Sequence, residues 1–306
     1  MAPDAQLSHL TLTYLNYLYL SKLTKQDLMF TLNANGKMVT MDQPLVMGII
    51  NVTPDSFYAG SRFSEISAIL QQAEKMIAEG ADILDIGGQS TRPGSEQISV
   101  AEELERVIPV IEAIHKKFPG TIISIDTYYS AVAKEAVKAG AAMVNDVSGG
   151  SIDPELIAVV ASMHVPYVLM HIKGTPQTML QAAQYENVTR DVLDYFIGKT
   201  NELRKAGIHD IIIDPGFGFG KNSSHNFELL KSLSVFQMLD CPILVGLSRK
   251  STIYKTLGVT ADEALNGTTV LNTVALMNGA NILRVHDVKE AKETIRLVAA
   301  LPNSSK

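Results

Sequence analysis

Most residues in this sequence that could do chemistry fall in eight polar clusters, each placed directly after an apolar run. They are Asn51-Val52-Thr53-Pro54-Asp55-Ser56-Phe57, Asp85-Ile86-Gly87-Gly88-Gln89-Ser90-Thr91-Arg92-Pro93-Gly94, Ile125-Asp126-Thr127, Asn145-Asp146-Val147-Ser148-Gly149-Gly150, Met170-His171, Asp214-Pro215-Gly216-Phe217-Gly218-Phe219-Gly220-Lys221, Gly246-Leu247-Ser248-Arg249-Lys250 and Arg284-Val285-His286-Asp287. Solvated surface does not account for that placement. Period-two alternation puts Arg284 and His286 on one face of an extended strand, and a guanidinium fork beside an imidazole suits an oxyanion such as phosphate. Lys250 and Arg92 add positive charge. Acids and amides at Asp126, Asn145 and Asp214 suit a neutral heterocycle rich in N–H donors and ring-nitrogen acceptors. Together the clusters suggest a polar ring joined to a phosphate-like group.

The elements that would position these clusters alternate regularly. Short apolar strands begin near Leu45, Asp82, Thr121, Ala142, Val165, Asp210, Pro242 and Asn281. Between them the pattern predicts helices at Glu65–Glu79, Val100–Lys117, Ser130–Ala139, Pro154–Ser162, Val188–Ala206, Ser224–Leu233, Ala261–Met277 and Val288–Ala299. Runs such as Ile211-Ile212-Ile213 and Ile243-Leu244-Val245 imply burial on both faces, as in a parallel sheet. Gly80, Gly140 and Gly207 stand where a glycine closes a helix, and Pro154 stands at a first helical turn. Eight strand–helix repeats without a long polar linker predict an α/β fold of the (β/α)8 TIM-barrel type, in which the strand C-termini form the active site. A doubly wound sheet is the rival, but it usually needs fewer strands and its dinucleotide fingerprint is absent. Asn35-Gly36, between Phe30-Thr31-Leu32-Asn33-Ala34 and Lys37-Met38-Val39-Thr40-Met41, predicts an N-terminal β-hairpin ahead of the barrel. The expected layout is an extension at 1–28, a domain at 29–300 that includes hairpin 30–41, and a tail at 301–306.

Composition narrows the function classes. With 46% hydrophobic and 19% charged residues over 306 positions, the chain has an ordinary globular balance. Twenty-six Lys and Arg against 32 Asp and Glu give a formal charge of −6, which argues against a broad basic surface for nucleic acid. The single Cys241 allows no intrachain disulfide, and its place before an apolar strand reads as packing. Leu7 to Leu20 is apolar but too short for a membrane helix and lacks a basic segment before it. The expectation is a cytoplasmic enzyme without membrane or nucleic-acid partners, whose residues before Met29 form an extension or reflect an upstream start codon. The 216–221 segment is not a Walker loop, which would need glycine at 215 and Ser or Thr at 222, where Pro215 and Asn222 stand. No HExxH, paired zinc-ligand spacing or G-x-S-x-G elbow occurs. Two plain structural alternatives stand beside the functional ones: Asp214-Pro215 as a simple turn, and His171 as a core histidine donating to backbone. His9, His115, His164, His209 and His225 receive no role.

From about Leu45 to Val298 the sequence closely resembles dihydropteroate synthases, with MGIINVTPDSF, DIGGQSTRPGS, SIDT, NDVSGG, LMHIKGTP, DPGFGFGK, GLSRKS and RVHDV in the family's order. The resemblance implies condensation of (7,8-dihydropterin-6-yl)methyl diphosphate with p-aminobenzoate, giving 7,8-dihydropteroate and pyrophosphate in folate synthesis. It also implies pterin binding by Asp126, Asn145, Asp214 and Lys250, with Met170, Phe219 and Gly246 shaping the ring slot. Asn51, Arg284 and His286 match the pyrophosphate side, with Asn51 also near Mg2+, and Arg92 assists electrostatically rather than as a base. Phe57, Thr91, Arg92, Pro93 and Ser248 match the p-aminobenzoate region, and the family is homodimeric. Two departures stand out: Ala59 lies in the first loop where family members carry an acid, and Gln89 replaces a frequent Glu. The rival functions are a pterin-binding methyltransferase domain, which needs no Arg284/His286 clamp, and a non-catalytic pterin-binding protein.

Overall fold

The structure is a computed structural model that describes residues 29–52, 62–91, 94–179 and 181–302. The expectations for residues 1–28, Phe57, Ala59, Arg92 and Pro93 lie outside the described residues.

The strands form where β-branched and aliphatic residues run together: β1 (Phe30–Ala34), β2 (Lys37–Met41), β3 (Leu45–Asn51), β4 (Ile83–Gly87), β5 (Ile122–Asp126), β6 (Met143–Asp146), β7 (Tyr167–Met170), β8 (Ile211–Asp214), β9 (Leu244–Val245) and β10 (Ile282–Val285). From β3 to β10 the strands make one eight-stranded sheet, in the order β8-β7-β6-β5-β4-β3-β10-β9, with every pairing parallel. The last seam closes through a bridge between Ile213 and Ile243, where Ile213 N–H donates to the Pro242 carbonyl at 2.9 Å. A (β/α)8 barrel results, and the doubly wound alternative is excluded.

Helices α1 (Arg62–Ala78), α2 (Val100–Lys117), α3 (Ser130–Ala139), α4 (Leu156–Met163), α5 (Val188–Lys205), α6 (Ser223–Lys231), α7 (Ser251–Leu257), α8 (Leu265–Met277) and α9 (Val288–Ala299) surround it. Caps written in the sequence start three of them, Asn222 Oδ1 accepting the His225 N–H ahead of α6. Ser99 Oγ accepts the Glu102 N–H, and Asn187 Oδ1 accepts the Arg190 N–H; each satisfies an N–H that has no partner inside the helix. The acids Glu102 and Glu103 in the first turn of α2, and His115, Lys116 and Lys117 in its last, complement the helix dipole. Gly80, Gly140 and Gly207 all close helices at positive φ, as expected.

Four details differ from the expected elements, the first being that α1 begins at Arg62 rather than Glu65. Helix α4 begins at Leu156, so Pro154 lies in the turn before it, where the Asp153 side chain accepts the Glu155 N–H and the Asp153 carbonyl accepts the Leu156 N–H. The helix expected at Ser224–Leu233 ends at Lys231, and the chain continues as a 3-10 helix over Leu233–Leu239. The helix expected from Ala261 starts at Leu265, and α7 precedes it.

Two cores follow from strand alternation. Leu84, Ile86, Ile123, Ile125, Val144 and Leu169 face outward into the layer between barrel and helices. Met47, Ile83, Ile122, Met143, Val168, Ile212, Leu244 and Ile282 face inward and fill the barrel floor, together with Leu32, Ala34 and Met41 of the hairpin. The hairpin turns at Asn35 and Gly36, both at positive φ, and covers the N-terminal end of the barrel. Lys37 Nζ donates to the Gly120 carbonyl and Asn33 N–H to Asp210, fixing it there. With one end plugged, the polar strand termini share the other. Among the described residues no helix is long and apolar enough to cross a membrane.

Candidate active site

The inward parity that fills the floor also selects the polar residues above it. Two positions beyond Ile83, Ile122, Met143, Val168, Ile212, Leu244 and Ile282 stand Asp85, Ser124, Asn145, Met170, Asp214, Gly246 and Arg284. One further step reaches Gly87 and Asp126, and Asn51 pairs in register with Gly87. Five of the seven expected pterin residues, Asp126, Asn145, Met170, Asp214 and Gly246, therefore share one wall by alternation, and Phe219 and Lys250 come from the loops beyond it.

Arg284 organises the first half of the site. Its Nε donates to Asp85 Oδ2 at 2.6 Å and its Nη2 to Asp126 Oδ2 at 2.6 Å. Asp85 Oδ2 also accepts Asn145 Nδ2 at 2.9 Å. An ionised carboxylate only accepts, so Asn145 must turn its Nδ2 toward Asp85 and its Oδ1 elsewhere. Arg284, expected on the pyrophosphate side, thus shares a network with Asp126 and Asn145, expected on the pterin side. Burial raises the Asp126 carboxyl to about 7 against the opposing charge of Arg284, while Asp85 and Asp126 hold the Arg284 guanidinium firmly protonated despite burial. Asp85 is wholly buried. The sequence reading quoted it without assigning it a role; the inward parity it shares with Ile83 was the available signal.

The second half centres on Asp214, whose Oδ1 accepts the Gly216 N–H at 2.8 Å. Burial raises this carboxyl, opposed by Lys250, Arg284 and Lys221. Asp214 ends β8 and the backbone turn comes after Pro215, where Phe219 N–H donates to the Gly216 carbonyl at 3.0 Å, so the simple-turn reading of Asp214-Pro215 gives way to an acid buried among cations. Lys250 Nζ donates to the Phe217 carbonyl at 2.5 Å and lies 4.5 Å from the Phe219 ring centroid. Burial lowers its ammonium to about 8. Phe219 packs beside Met170, Tyr128 and Val147, an apolar wall next to the acids. Gly246 leaves the space between Lys250 and Arg284 open: a Cβ there would already lie 3.7 Å from Lys250 Nζ and 3.9 Å from Arg284 Cβ.

At the rim, Ser248 and His286 meet. Ser248 Oγ accepts the His286 backbone N–H at 3.2 Å and lies 3.0 Å from its Nδ1. The hydroxyl therefore meets both the backbone N–H and the ring of His286. Strand β10 ends at Val285, so His286 stands beyond it and is exposed, while the Arg284 guanidinium turns inward to the two carboxylates. The sequence reading had set Ser248 and His286 in separate regions. Between Ser248 and Lys250, Arg249 faces away and makes a bidentate pair with Asp287 at 2.9 and 2.8 Å, anchoring the loop after β9 to that after β10. Asn51 is exposed at the tip of β3, and Thr91 is half-buried after β4.

Behind the wall, His171 is a core histidine, but Lys221 Nζ, at 2.9 Å, is the described partner of its Nδ1 rather than a backbone carbonyl. Cys241 is buried, as its setting predicted. Among the described residues no three His, Cys, Asp or Glu side chains converge as a metal site. Asn51 supplies one hard amide oxygen. That donor set fits Mg2+, which commonly takes one or two protein oxygens and completes its shell from substrate phosphates and water.

The chain that carries these three buried acids, the amide, the two cations and the imidazole at the rim is similar to known proteins over most of its length. A family model described as "Pterin binding enzyme" matches residues 47–286. Dihydropteroate synthase of Escherichia coli (strain K12) is 45% identical over 269 residues, covering 87% of this chain and 95% of that protein. The structure of Xanthomonas albilineans dihydropteroate synthase with 4-aminobenzoic acid superposes with a TM-score of 0.82 at 39% identity, covering 89% of this chain and 99% of the other. A further structure of the X. albilineans enzyme, in complex with 7,8-dihydropteroate, gives a TM-score of 0.79 at 37% identity over 89% of this chain and all of the other. With the family model spanning most of the chain and the relatives matched nearly end to end, the chain belongs to the dihydropteroate synthase family of pterin-binding enzymes.

Proposed function

We infer that this chain condenses (7,8-dihydropterin-6-yl)methyl diphosphate with p-aminobenzoate, releasing pyrophosphate and 7,8-dihydropteroate. The network Asp126–Arg284–Asp85–Asn145, standing opposite Asp214 and Lys250, supports this reading most directly. It presents acceptors for the N–H groups of a pterin beside cations for a leaving diphosphate.

In this reading Asp214 and Asn145 Oδ1 accept the ring N–H donors, Lys250 faces ring acceptors, and Phe219 and Met170 border the ring faces. The methylene C–O bond breaks with its electron pair going to the diphosphate oxygen, and the arylamine nitrogen supplies the pair for the new C–N bond. The amine proton then leaves. Asp126 and Asp214 favour the positive charge that develops on the pterin methylene, and Arg284 and His286 favour the negative charge that develops on the leaving group. Ser248 and Thr91 belong to the p-aminobenzoate entrance, with Phe57, Arg92 and Pro93 outside the described residues. Mg2+ held by Asn51 would add charge neutralisation of the diphosphate when bound. No side-chain nucleophile is needed.

A cytoplasmic homodimer belongs to the same proposal. The exposed Val270 and Met277 on α8 and Leu297 on α9 are apolar surface that a second copy would cover, and sedimentation measures the state directly. For the reaction itself, the assay supplies pterin diphosphate, p-aminobenzoate and Mg2+ to the folded protein. Pyrophosphate and dihydropteroate appearing in equal amounts support it; appearance of neither overturns it.

A further inference from the structure

We propose that Lys221 is a positioning residue of this reaction: its side chain, enclosed by the loop between β8 and α6, favours the carboxylate form of Asp214 and holds Phe219 in register for the pterin, with His171 completing its shell. The proposal rests on the dihydropteroate synthase reading for the identity of the substrate.

Lys221 is 6% exposed, yet its Nζ has four acceptors at hydrogen-bond distance. They are His171 Nδ1 at 2.9 Å and the carbonyls of His171 at 3.2 Å, Gly216 at 3.1 Å and Phe219 at 3.0 Å. A compact ammonium with three N–H donors suits such a shell, and a planar guanidinium does not. Lys250 approaches the same loop from the pocket side and takes the Phe217 carbonyl. The loop is therefore threaded between two lysines, one binding the carbonyls of 216 and 219 and the other that of 217. Its seat is close: a Cβ on Gly216 would lie 2.0 Å from the His171 carbonyl oxygen, and one on Gly220 would lie 2.6 Å from that of Lys173. Tyr185 Oη donates to the Gly220 carbonyl at 2.9 Å and closes the outer side. Phe219 rides on this loop, so the lysine that gathers the carbonyls also fixes the ring.

Charge makes the arrangement more than scaffolding. Asp214 faces Lys250, Arg284 and Lys221, with the Gly216 N–H on its carboxylate, and no second acid is a leading influence on it. Lys221 faces Asp214, Lys250 and His171: burial pushes its ammonium well below the usual lysine range, and the Asp214 carboxylate opposes this. His171 faces Lys221 and Lys173, with the Tyr195 ring edge-on at 4.9 Å and Tyr185 at 6.2 Å. A protonated His171 would set two cations 2.9 Å apart without water between them, so the imidazole stays neutral and accepts at Nδ1. Removing the Lys221 charge withdraws one of three cations that favour ionised Asp214, and the carboxyl rises further.

The test compares Lys221→Met and Lys221→Gln with the wild-type enzyme, whose own activity in the same assay tests the reaction separately. In Lys221→Met the KM for pterin diphosphate should rise about tenfold or more, with the KM for p-aminobenzoate within about twofold. The acid limb of kcat/KM for the pterin should move to higher pH. Lys221→Gln keeps N–H donors without charge; it should recover part of the KM loss and retain the shifted limb. A folded Lys221→Met enzyme with unchanged pterin KM, or with an unmoved acid limb, overturns the proposal. Where that variant does not fold, nitrogen-15 NMR of wild-type His171 decides: the neutral Nε2–H tautomer should persist from about pH 5 to 8. Titration in that range, or a proton on Nδ1, overturns it.

Discussion

Asp85 accepts Arg284 Nε at 2.6 Å and Asn145 Nδ2 at 2.9 Å through the same carboxylate oxygen, so one buried acid on β4 aligns a cation from β10 and an amide from β6. Without Asp85 the guanidinium would keep Asp126 as its anchor and lose the other, and the amide would be free to flip. In Asp85→Asn a carbonyl oxygen in the place of Oδ2 can still accept from both, but the charge that Arg284 pairs with is gone and a buried NH2 stands where Oδ1 was. Breaking a buried pair in this way costs on the order of 3 kcal/mol, and part of that cost falls on the aligned transition state. The expected outcome is a fall of about a hundredfold in kcat/KM for pterin diphosphate, with the p-aminobenzoate KM little changed. Steady-state kinetics with each substrate varied in turn checks it. Retention of kcat/KM within twofold would mean that other contacts align Arg284 and Asn145.

Glu103 predicts a pH dependence of stability. The side chain is 1% exposed on α2, against Gly88 and Thr127. Burial raises its carboxyl from 4.5 to about 7, and the Thr127 hydrogen bond only partly opposes this. A carboxyl raised on folding is most favourable where both states are protonated, below about 4.5, and its contribution is lost as pH rises through about 7. At about 1.4 kcal/mol per pH unit, the displacement amounts to roughly 3 kcal/mol. Glu103→Gln should therefore stabilise the protein by up to that amount at about pH 8 and show little gain at about pH 4.5. Urea denaturation at both pH values measures the difference. Asp126, also raised to about 7, slopes the same way, so the variant should reduce the pH dependence without abolishing it.

Ser248 and His286 allow two roles to be told apart. The hydroxyl both accepts the His286 N–H and faces Nδ1. Removing it in Ser248→Ala frees the imidazole at a cost of about 1 kcal/mol, and kcat/KM should fall roughly fivefold to tenfold. If Ser248 acts through His286, calorimetry should show weaker binding of pterin diphosphate, with binding of a pterin lacking the diphosphate unchanged. A loss confined to the p-aminobenzoate KM would instead assign Ser248 to the arylamine.

The barrel was legible because alternation and repeat length are local properties. Ile211-Ile212-Ile213 announces a buried strand without reference to anything else in the chain. The site was legible to the same depth: Asp126, Asn145, Asp214 and Arg284 end inward-facing runs and do share a wall. Pairings across the barrel were not legible. Asp85 meets Arg284 across 199 positions of sequence, and no local pattern couples them. Lys221 was set aside with the failed Walker spacing, because its partners are mainly backbone carbonyls, which leave no trace in side-chain types. Helix α7 was missed for a related reason: Lys250 precedes it and gives no side-chain cap, so the usual Ser, Thr, Asp or Asn start signal is absent.

The glycines of the 214–221 loop separate two causes of strain that the sequence cannot distinguish. Gly216, Gly218 and Gly94 all adopt positive φ, at 69°, 83° and 79°, so any alanine there carries a backbone penalty of about 1 kcal/mol. Their surroundings differ. A Cβ on Gly94 meets nothing within 4 Å, and on Gly218 it meets only Lys250 Cδ at 3.3 Å, near the end of a side chain able to move. On Gly216 it would lie 2.0 Å from the His171 carbonyl oxygen, which belongs to the barrel wall. The expected order of destabilisation is therefore Gly94→Ala below Gly218→Ala, with Gly216→Ala the most severe at about 3 kcal/mol or more. Thermal and urea unfolding of the three variants measure it. Equal losses would show that the loop can lift away from His171 at little cost; the steep order would show that Phe219 and Lys221 are held by a loop with no room to move.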